Sequence, residues 1–151
     1  PIQGVPLDAL ELTNTNLQIE VFAQSPMIFS PVAMDCDAQG RLWLTEGLDY
    51  HQRARVDAGQ SIIVLTDKDG DGKADQSHVF VTEKVRPAPL GIAVFDNRIV
   101  LSATPSIIVY TDVDRNAVFD PAVDKRDPLK SSDHQTPDDP RCFSDPRRCL
   151  G

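Results

Sequence analysis

A chain of 151 residues is long enough for one domain with a real core. Its 23 acidic and 15 basic residues give a formal charge of −8, which argues against a nucleic-acid binder, because phosphate contacts need a basic footprint. No stretch approaches the ~20 apolar residues that cross a bilayer, and no Cys-x-x-Cys-His motif for haem attachment occurs.

Residues 1–16 mix Pro, Gly, Asn and Thr with a few leucines and read as a linker, with one short helical turn at Leu7 to Leu12. The opening Pro1-Ile2-Gln3-Gly4 carries neither an initiating Met nor a basic-then-apolar leader, as expected of a mature or clipped chain. From Leu17, the residues Leu17, Ile19 and Val21 alternate with Gln18 and Glu20, the period of a half-buried strand. Strands are then predicted at Val32 to Cys36, Arg41 to Glu46, Ser61 to Thr66, His78 to Thr82, Gly91 to Phe95, Arg98 to Ala103 and Ser106 to Thr111. Turn residues separate them: Asp37-Ala38-Gln39-Gly40, Asp96-Asn97 and Thr104-Pro105. No window keeps helical periodicity over three turns, so the chain is all-β by pattern. Cys36 falls in a strand and is expected to be a small buried hydrophobe. Cys142 and Cys149 lie in a polar tail, where pairing with each other is allowed but not demanded. That tail, residues 127–151, has scattered charge and almost no apolar alternation, and is expected to be irregular or disordered.

The strands repeat. Ser61-Ile62-Ile63-Val64-Leu65-Thr66-Asp67 recurs as Ser106-Ile107-Ile108-Val109-Tyr110-Thr111-Asp112, six identities in seven positions at an offset of 45. Arg41-Leu42-Trp43-Leu44 recurs as Arg98-Ile99-Val100-Leu101 at an offset of 57, the difference being an insertion at residues 47–60. A four-stranded unit repeating every 40–50 residues or so is the mark of a propeller blade. The units span about 31–82 and 89–120, within a partial β-propeller at 17–126. Propellers close with four blades or more, and two alone leave long unpaired edges. A fragment of a larger propeller is therefore expected, rather than a smaller sheet assembly.

The strongest chemical signal is Asp67-Lys68-Asp69-Gly70-Asp71-Gly72-Lys73-Ala74-Asp75. Calcium takes six to eight oxygens, and carboxylates at loop positions one, three and five (Asp67, Asp69 and Asp71) can curl around one point. Gly72 permits the sharp bend, the backbone carbonyl of Lys73 supplies position seven, and Asp75 reaches position nine directly or through water. Position twelve is His78, not the bidentate Glu of an EF-hand, so water or an acid from elsewhere, such as Glu83, has to complete the shell. The competing reading is a solvated hairpin turn, in which Asp-Gly is common. A second loop keeps oxygen ligands at Asp112, Asp114, Asn116 and Asp120, with Ala117 in place of the turning glycine and Arg115 adding positive charge. It reads either as a weak site or as a turn that keeps only the shape.

Glu46, Asp49, Tyr50 and His51, with Arg53 nearby, set acid, base and hydrogen-bonding groups on one long connection, and are the candidate catalytic residues. An exposed polar loop is the plainer alternative. None of His51, His78 and His134 has a spaced partner for zinc, and no nucleophile elbow, phosphate loop or dinucleotide fingerprint occurs.

The ordered series Leu17 to Ala23, Pro31 to Asp35, Gly40 to Glu46, Asp49-Tyr50 and Ile62 to Asp75 resembles the start of a family of membrane-bound dehydrogenase propellers. These abound in planctomycetes and related bacteria and are relatives of the glucose/sorbosone dehydrogenase β-propellers. The resemblance covers about residues 17–127. It implies a six-bladed-type propeller outside the cytoplasm, often followed by helical repeats and a c-type haem domain. It also implies oxidation of sugars or alcohols, since the wider group uses pyrroloquinoline quinone and calcium. After Asp124-Lys125-Arg126 the family continues into a glycine- and His-containing segment, whereas this chain reads Asp127-Pro128-Leu129-Lys130-Ser131-Ser132, so His134 inherits no role. Three functions follow as expectations. The chain is the amino-terminal part of such a dehydrogenase and inactive alone, or a non-catalytic calcium-stabilised module, or a non-functional truncated product.

Overall fold

Short runs of β-branched and aromatic residues, each bounded by Asp, Asn, Gly or Pro, fold into eight strands in the computed structural model, which describes residue 7 and residues 10–47, 59–83, 89–103 and 106–130. They are β1 (Pro31–Cys36), β2 (Leu42–Glu46), β3 (Gln60–Thr66), β4 (Gln76–Glu83), β5 (Gly91–Phe95), β6 (Arg98–Ala103), β7 (Ser106–Thr111) and β8 (Lys125–Lys130). Neighbours in sequence pair antiparallel to give two four-stranded sheets, ordered β1-β2-β3-β4 and β5-β6-β7-β8. The fold is all-β, and among the described residues there is no helix long and apolar enough to cross a membrane. The repeat read from sequence has a structural counterpart. Ser61–Thr66 and Ser106–Thr111 lie on the third strand of their sheets, and Leu42–Leu44 and Ile99–Leu101 on the second.

The core lies between the sheets. Trp43, Ile62, Val64 and Phe80 of the first face Ile99, Leu101, Ile108 and Tyr110 of the second, all buried. Period-two alternation delivers this: in β6, Ile99, Leu101 and Ala103 turn inward while Arg98 and Ser102 stay exposed. The β3 strand is buried on both faces, because Ile63 and Leu65 on its far side join Leu44 under a cover of Phe22, Ala23, Met27 and Ile28. The far side of the second sheet is more open, and leaves Phe95, Ile107 and Leu129 largely exposed.

Polar contacts join the two sheets. Asp35 Oδ2 accepts the Val94 N–H at 2.8 Å, and the Phe119 N–H donates to the Phe80 carbonyl at 2.9 Å. The turn between β1 and β2 is organised by Asp37, whose side chain accepts from the backbone N–H of Gln39 and Arg41, from Arg41 Nε at 2.6 Å and from Trp43 Nε1 at 2.8 Å. Burial alone pushes the Asp37 carboxyl up, but the Trp43 and Arg41 donors outweigh it and hold the carboxyl below its ordinary value. Stability from this group is thus present above the unfolded-state value and drains away as pH falls through the lower folded value. Asp37→Asn is expected to cost about 1–2 kcal/mol at neutral pH and to flatten the acid limb of the stability curve. Urea melts from pH 3 to 7 check this, and an unchanged acid limb counts against it.

Three expectations need correction. The segment from Leu17 forms no ladder; it crosses the outer face of the first sheet, where Phe22 and Ala23 pack, and leaves Leu17 and Val21 exposed. Cys36 is exposed, because β1 is an edge strand that turns Ala33 and Asp35 inward. The irregular tail does not begin at residue 127: β8 continues to Lys130 and completes the second unit beyond 120. Pro128 is tolerated there because β8 is an edge. Residues 131–151, with His134, Cys142 and Cys149, lie outside the described residues, as do residues 48–58.

Candidate metal centre

Each sheet carries an acidic loop just after its third strand. In the first, Asp67 closes the bend by accepting the Gly70 N–H on Oδ1 at 2.7 Å and the Gly72 N–H on Oδ2 at 2.9 Å. Asp69 accepts from Asp71 N–H at 3.2 Å, and Asp71 from Lys73 N–H at 2.9 Å. Gly70 and Gly72 hold φ of 76° and 85°, the left-handed region that glycine enters without a Cβ penalty. Asp67, Asp69 and Asp71 bring oxygens within 4.8 Å of one another. Asp75 stands at the neck of the loop, where its Oδ2 accepts the Lys68 N–H at 2.7 Å and its own N–H reaches the Thr66 carbonyl at 2.9 Å.

The acid suggested to complete this shell, Glu83, is committed elsewhere: it accepts from the Tyr110 hydroxyl and, at 3.1 Å, from Arg126 Nη2. Glu20 lies against the loop but is not one of the clustered acids. Its Oε2 lies 3.3 Å from the point a Cβ on Gly72 would occupy, and the Ala74 N–H to Phe22 carbonyl bond of 2.8 Å fixes that segment against the loop. Glu20 is remote in sequence, and no spacing template could have found it.

The second loop reproduces most of these contacts with other residues, but has no counterpart of the bond from Gly70 N–H to Asp67 Oδ1. Asp112 Oδ2 accepts the Ala117 N–H at 2.9 Å, Asp114 accepts from Asn116 N–H at 3.3 Å, and Asn116 Oδ1 from Val118 N–H at 2.7 Å. Arg115 and Ala117 take φ of 61° and 60°, matching Gly70 and Gly72 at an offset of 45. Ala117 therefore keeps the bend despite its Cβ. The role that Asp75 plays passes to Asp124, whose Oδ1 accepts the Val113 N–H at 2.8 Å.

The clustered acids here are Asp112, Asp114 and Asp124, and Asp120, expected as a ligand, is not among them. Asp120 instead starts a tight turn: its Oδ1 accepts the Ala122 N–H and its carbonyl accepts the Asp124 N–H at 2.7 Å, which swings Asp124 back to the loop. Burial pushes the Asp112 carboxyl up, and the nearby Asp114 and Asp124 carboxylates push the same way, although the Ala117 N–H opposes them. Arg115, expected to add positive charge beside the site, binds Asp96 through Nη1 and Nη2 at 2.6 and 2.7 Å and still attracts the Asp112 carboxylate.

Of the candidate catalytic residues, Glu46 sits buried at the end of β2 and accepts the Phe29 N–H on Oε1 at 2.7 Å. Asp49, Tyr50 and His51 lie outside the described residues. His78, at position twelve, turns across the sheet boundary, with Nε2 2.9 Å from the Ala117 carbonyl.

A family model described as "Domain of unknown function (DUF7133)" matches residues 6–135. Neither the curated proteins nor the solved structures contain a match.

Proposed function

The chain belongs to the DUF7133 family of domains of unknown function, and within it we propose a calcium-binding section of a β-propeller. The metal reading is carried by one observation, the convergence of Asp67, Asp69 and Asp71 oxygens within 4.8 Å on a loop whose backbone donors already bend it. Three like charges so close repel unless a cation sits among them. All-oxygen donors suit calcium better than zinc or copper. What supports the propeller reading is that both sheets share one strand order, carry the repeated sequence on the same strand and stack on a common core. The open far face of the second sheet is what a following blade would cover.

By resemblance, the section belongs to a longer extracytoplasmic enzyme that oxidises sugars or alcohols with pyrroloquinoline quinone or haem. No reaction step is assigned to the residues described. The engagement of Glu46 with backbone favours the second reading, a non-catalytic calcium-stabilised module, for this section taken alone.

Calcium at a hundred times its Kd stabilises a folded site by about 2.7 kcal/mol. A calcium-dependent rise in Tm is therefore expected, and Asp69→Ala should remove the share due to the first loop. A variant that keeps the parent's full rise would reduce that loop to a turn.

A further inference from the structure

The two acidic loops share a backbone trace but not an environment. Asp67 is only half-buried, whereas Asp112 is 3% exposed, and its Oδ1 is buried without a hydrogen-bond partner. The other oxygen of Asp112 is used by Ala117, so Oδ1 is the one left over. The Asp114 carboxylate comes within hydrogen-bonding range of Asp112, and Asp124 adds its charge nearby, against the Ala117 and Arg115 backbone N–H groups. None of these carboxylates can donate a proton to another while ionised.

The nearest cation offsets the conflict only in part, since Arg115 attracts Asp112 without pairing with it. The Arg115 guanidinium is turned to Asp96, and none of the ion pairs among the described residues involves Asp112, Asp114 or Asp124. A buried oxygen without a well-formed hydrogen bond, set among like charges that the Arg115 backbone N–H only partly offsets, is explained by a ligand that accepts electron pairs.

We propose that Asp112, Asp114 and Asp124 form a calcium site, with Asp124 and not Asp120 as the third carboxylate, and that it is the tighter of the two. Oxygens within 4.8 Å of one another fit around an ion with bonds of about 2.3–2.6 Å. The burial of Asp112 removes competing water from one side, which strengthens the ion's hold on it. The loop also rests on the first sheet, through Phe119 N–H to the Phe80 carbonyl and through Ala117 to His78. An ion bound here therefore stiffens the seam between the sheets as well as its own loop. The proposal extends the cation reading to separate residues, and each can fail without the other.

Equilibrium dialysis with calcium on the full chain separates them. The parent is expected to bind two ions. Asp112→Asn and Asp124→Asn should each weaken the tighter site about 100-fold or more, a loss of the order seen when a ligand or its support is removed. Asp120→Asn should leave it within about threefold, since Asp120 shapes the turn but holds no ion. Without calcium, Asp112→Asn should raise Tm by about 2–5 °C, because an amide donor replaces the orphaned oxygen among carboxylates. Undiminished binding in Asp112→Asn, or equal losses in Asp120→Asn and Asp124→Asn, overturns the proposal. So does a lower calcium-free Tm in Asp112→Asn, which would mark Asp112 as structural. If the parent binds one ion and Asp69→Ala alone abolishes it, this site is refuted and the first loop stands; if Asp112→Asn alone abolishes it, the reverse holds.

Discussion

Phe80→Ala is expected to destabilise the protein by about 3–5 kcal/mol, a large part of the 5–15 kcal/mol or so typical of a folded domain. The size follows from position. Phe80 is 2% exposed on β4, and its ring meets Trp43 at 5.1 Å, Tyr110 at 5.8 Å and Phe119 at 6.1 Å, each edge-on. Trp43 belongs to the first sheet, Tyr110 and Phe119 to the second sheet and its loop. Deleting the ring therefore opens a cavity where the two sheets meet. The backbone bond from Phe119 to the Phe80 carbonyl survives the substitution, so the loss reads packing alone. Phe80→Leu keeps most of the volume and should cost less than about 1.5 kcal/mol. Urea unfolding of both variants checks the ratio; equal costs would mean that the ring cluster contributes little beyond bulk.

Glu83→Ala is expected to cost about 3 kcal/mol, mostly because it strands a buried partner. Glu83 ends β4 and binds the Tyr110 hydroxyl together with the Arg126 guanidinium. Tyr110 is fully buried, so its hydroxyl would lose its acceptor with no water to replace it. Arg126 is about a third exposed and recovers solvent, so its share is small. Adding Tyr110→Phe to Glu83→Ala should restore part of the loss, since the stranded hydroxyl is removed. A double variant no better than Glu83→Ala would refute this account.

The same group sets a pH window. Burial raises the Glu83 carboxyl, but the Arg126 and Tyr110 donors prevail and hold it below the ordinary 4.5. Its stabilisation is present above the unfolded-state value and is lost as pH falls through the folded one. Burial, and then the adjoining Glu83 carboxylate, push the Tyr110 phenol above its ordinary 10.0. That contribution is complete below the unfolded-state value and fades as pH climbs past it. Glu83→Ala should weaken both slopes.

Much of the fold was legible in the residues because β6 and β7 alternate between more and less buried positions and turn residues bound β5, so that the predicted bounds of all three coincide with the observed ones. The β8 strand carries Lys125, Arg126, Asp127 and Pro128, a composition that propensity assigns to a loop. What makes it a strand is pairing with β7, a tertiary effect. Leu17 to Val21 show the converse: period-two alternation marks extended backbone but cannot supply a hydrogen-bonding neighbour.

At the loops, the spacing of Asp67, Asp69 and Asp71 located the cluster directly. In the second copy a fixed template chose Asp120, because it could not foresee that the turn from Asp120 to Asp124 returns the later carboxylate to the place Asp75 holds in the first. Ala117 was read as a departure from the bend, yet a buried, well-packed alanine sustains the left-handed conformation there.

The bare outer side of the second sheet bears on how the protein behaves when concentrated. Phe95, Ile107 and Leu129 offer neighbouring molecules an adhesive patch. A net charge of −8 keeps molecules apart at neutral pH and low salt. Near the isoelectric point of about 4.7 that repulsion vanishes, and added salt screens it at any pH. Colloidal stability of the chain is thus electrostatic in origin, and buffers that are both acidic and salty are where it should clump first.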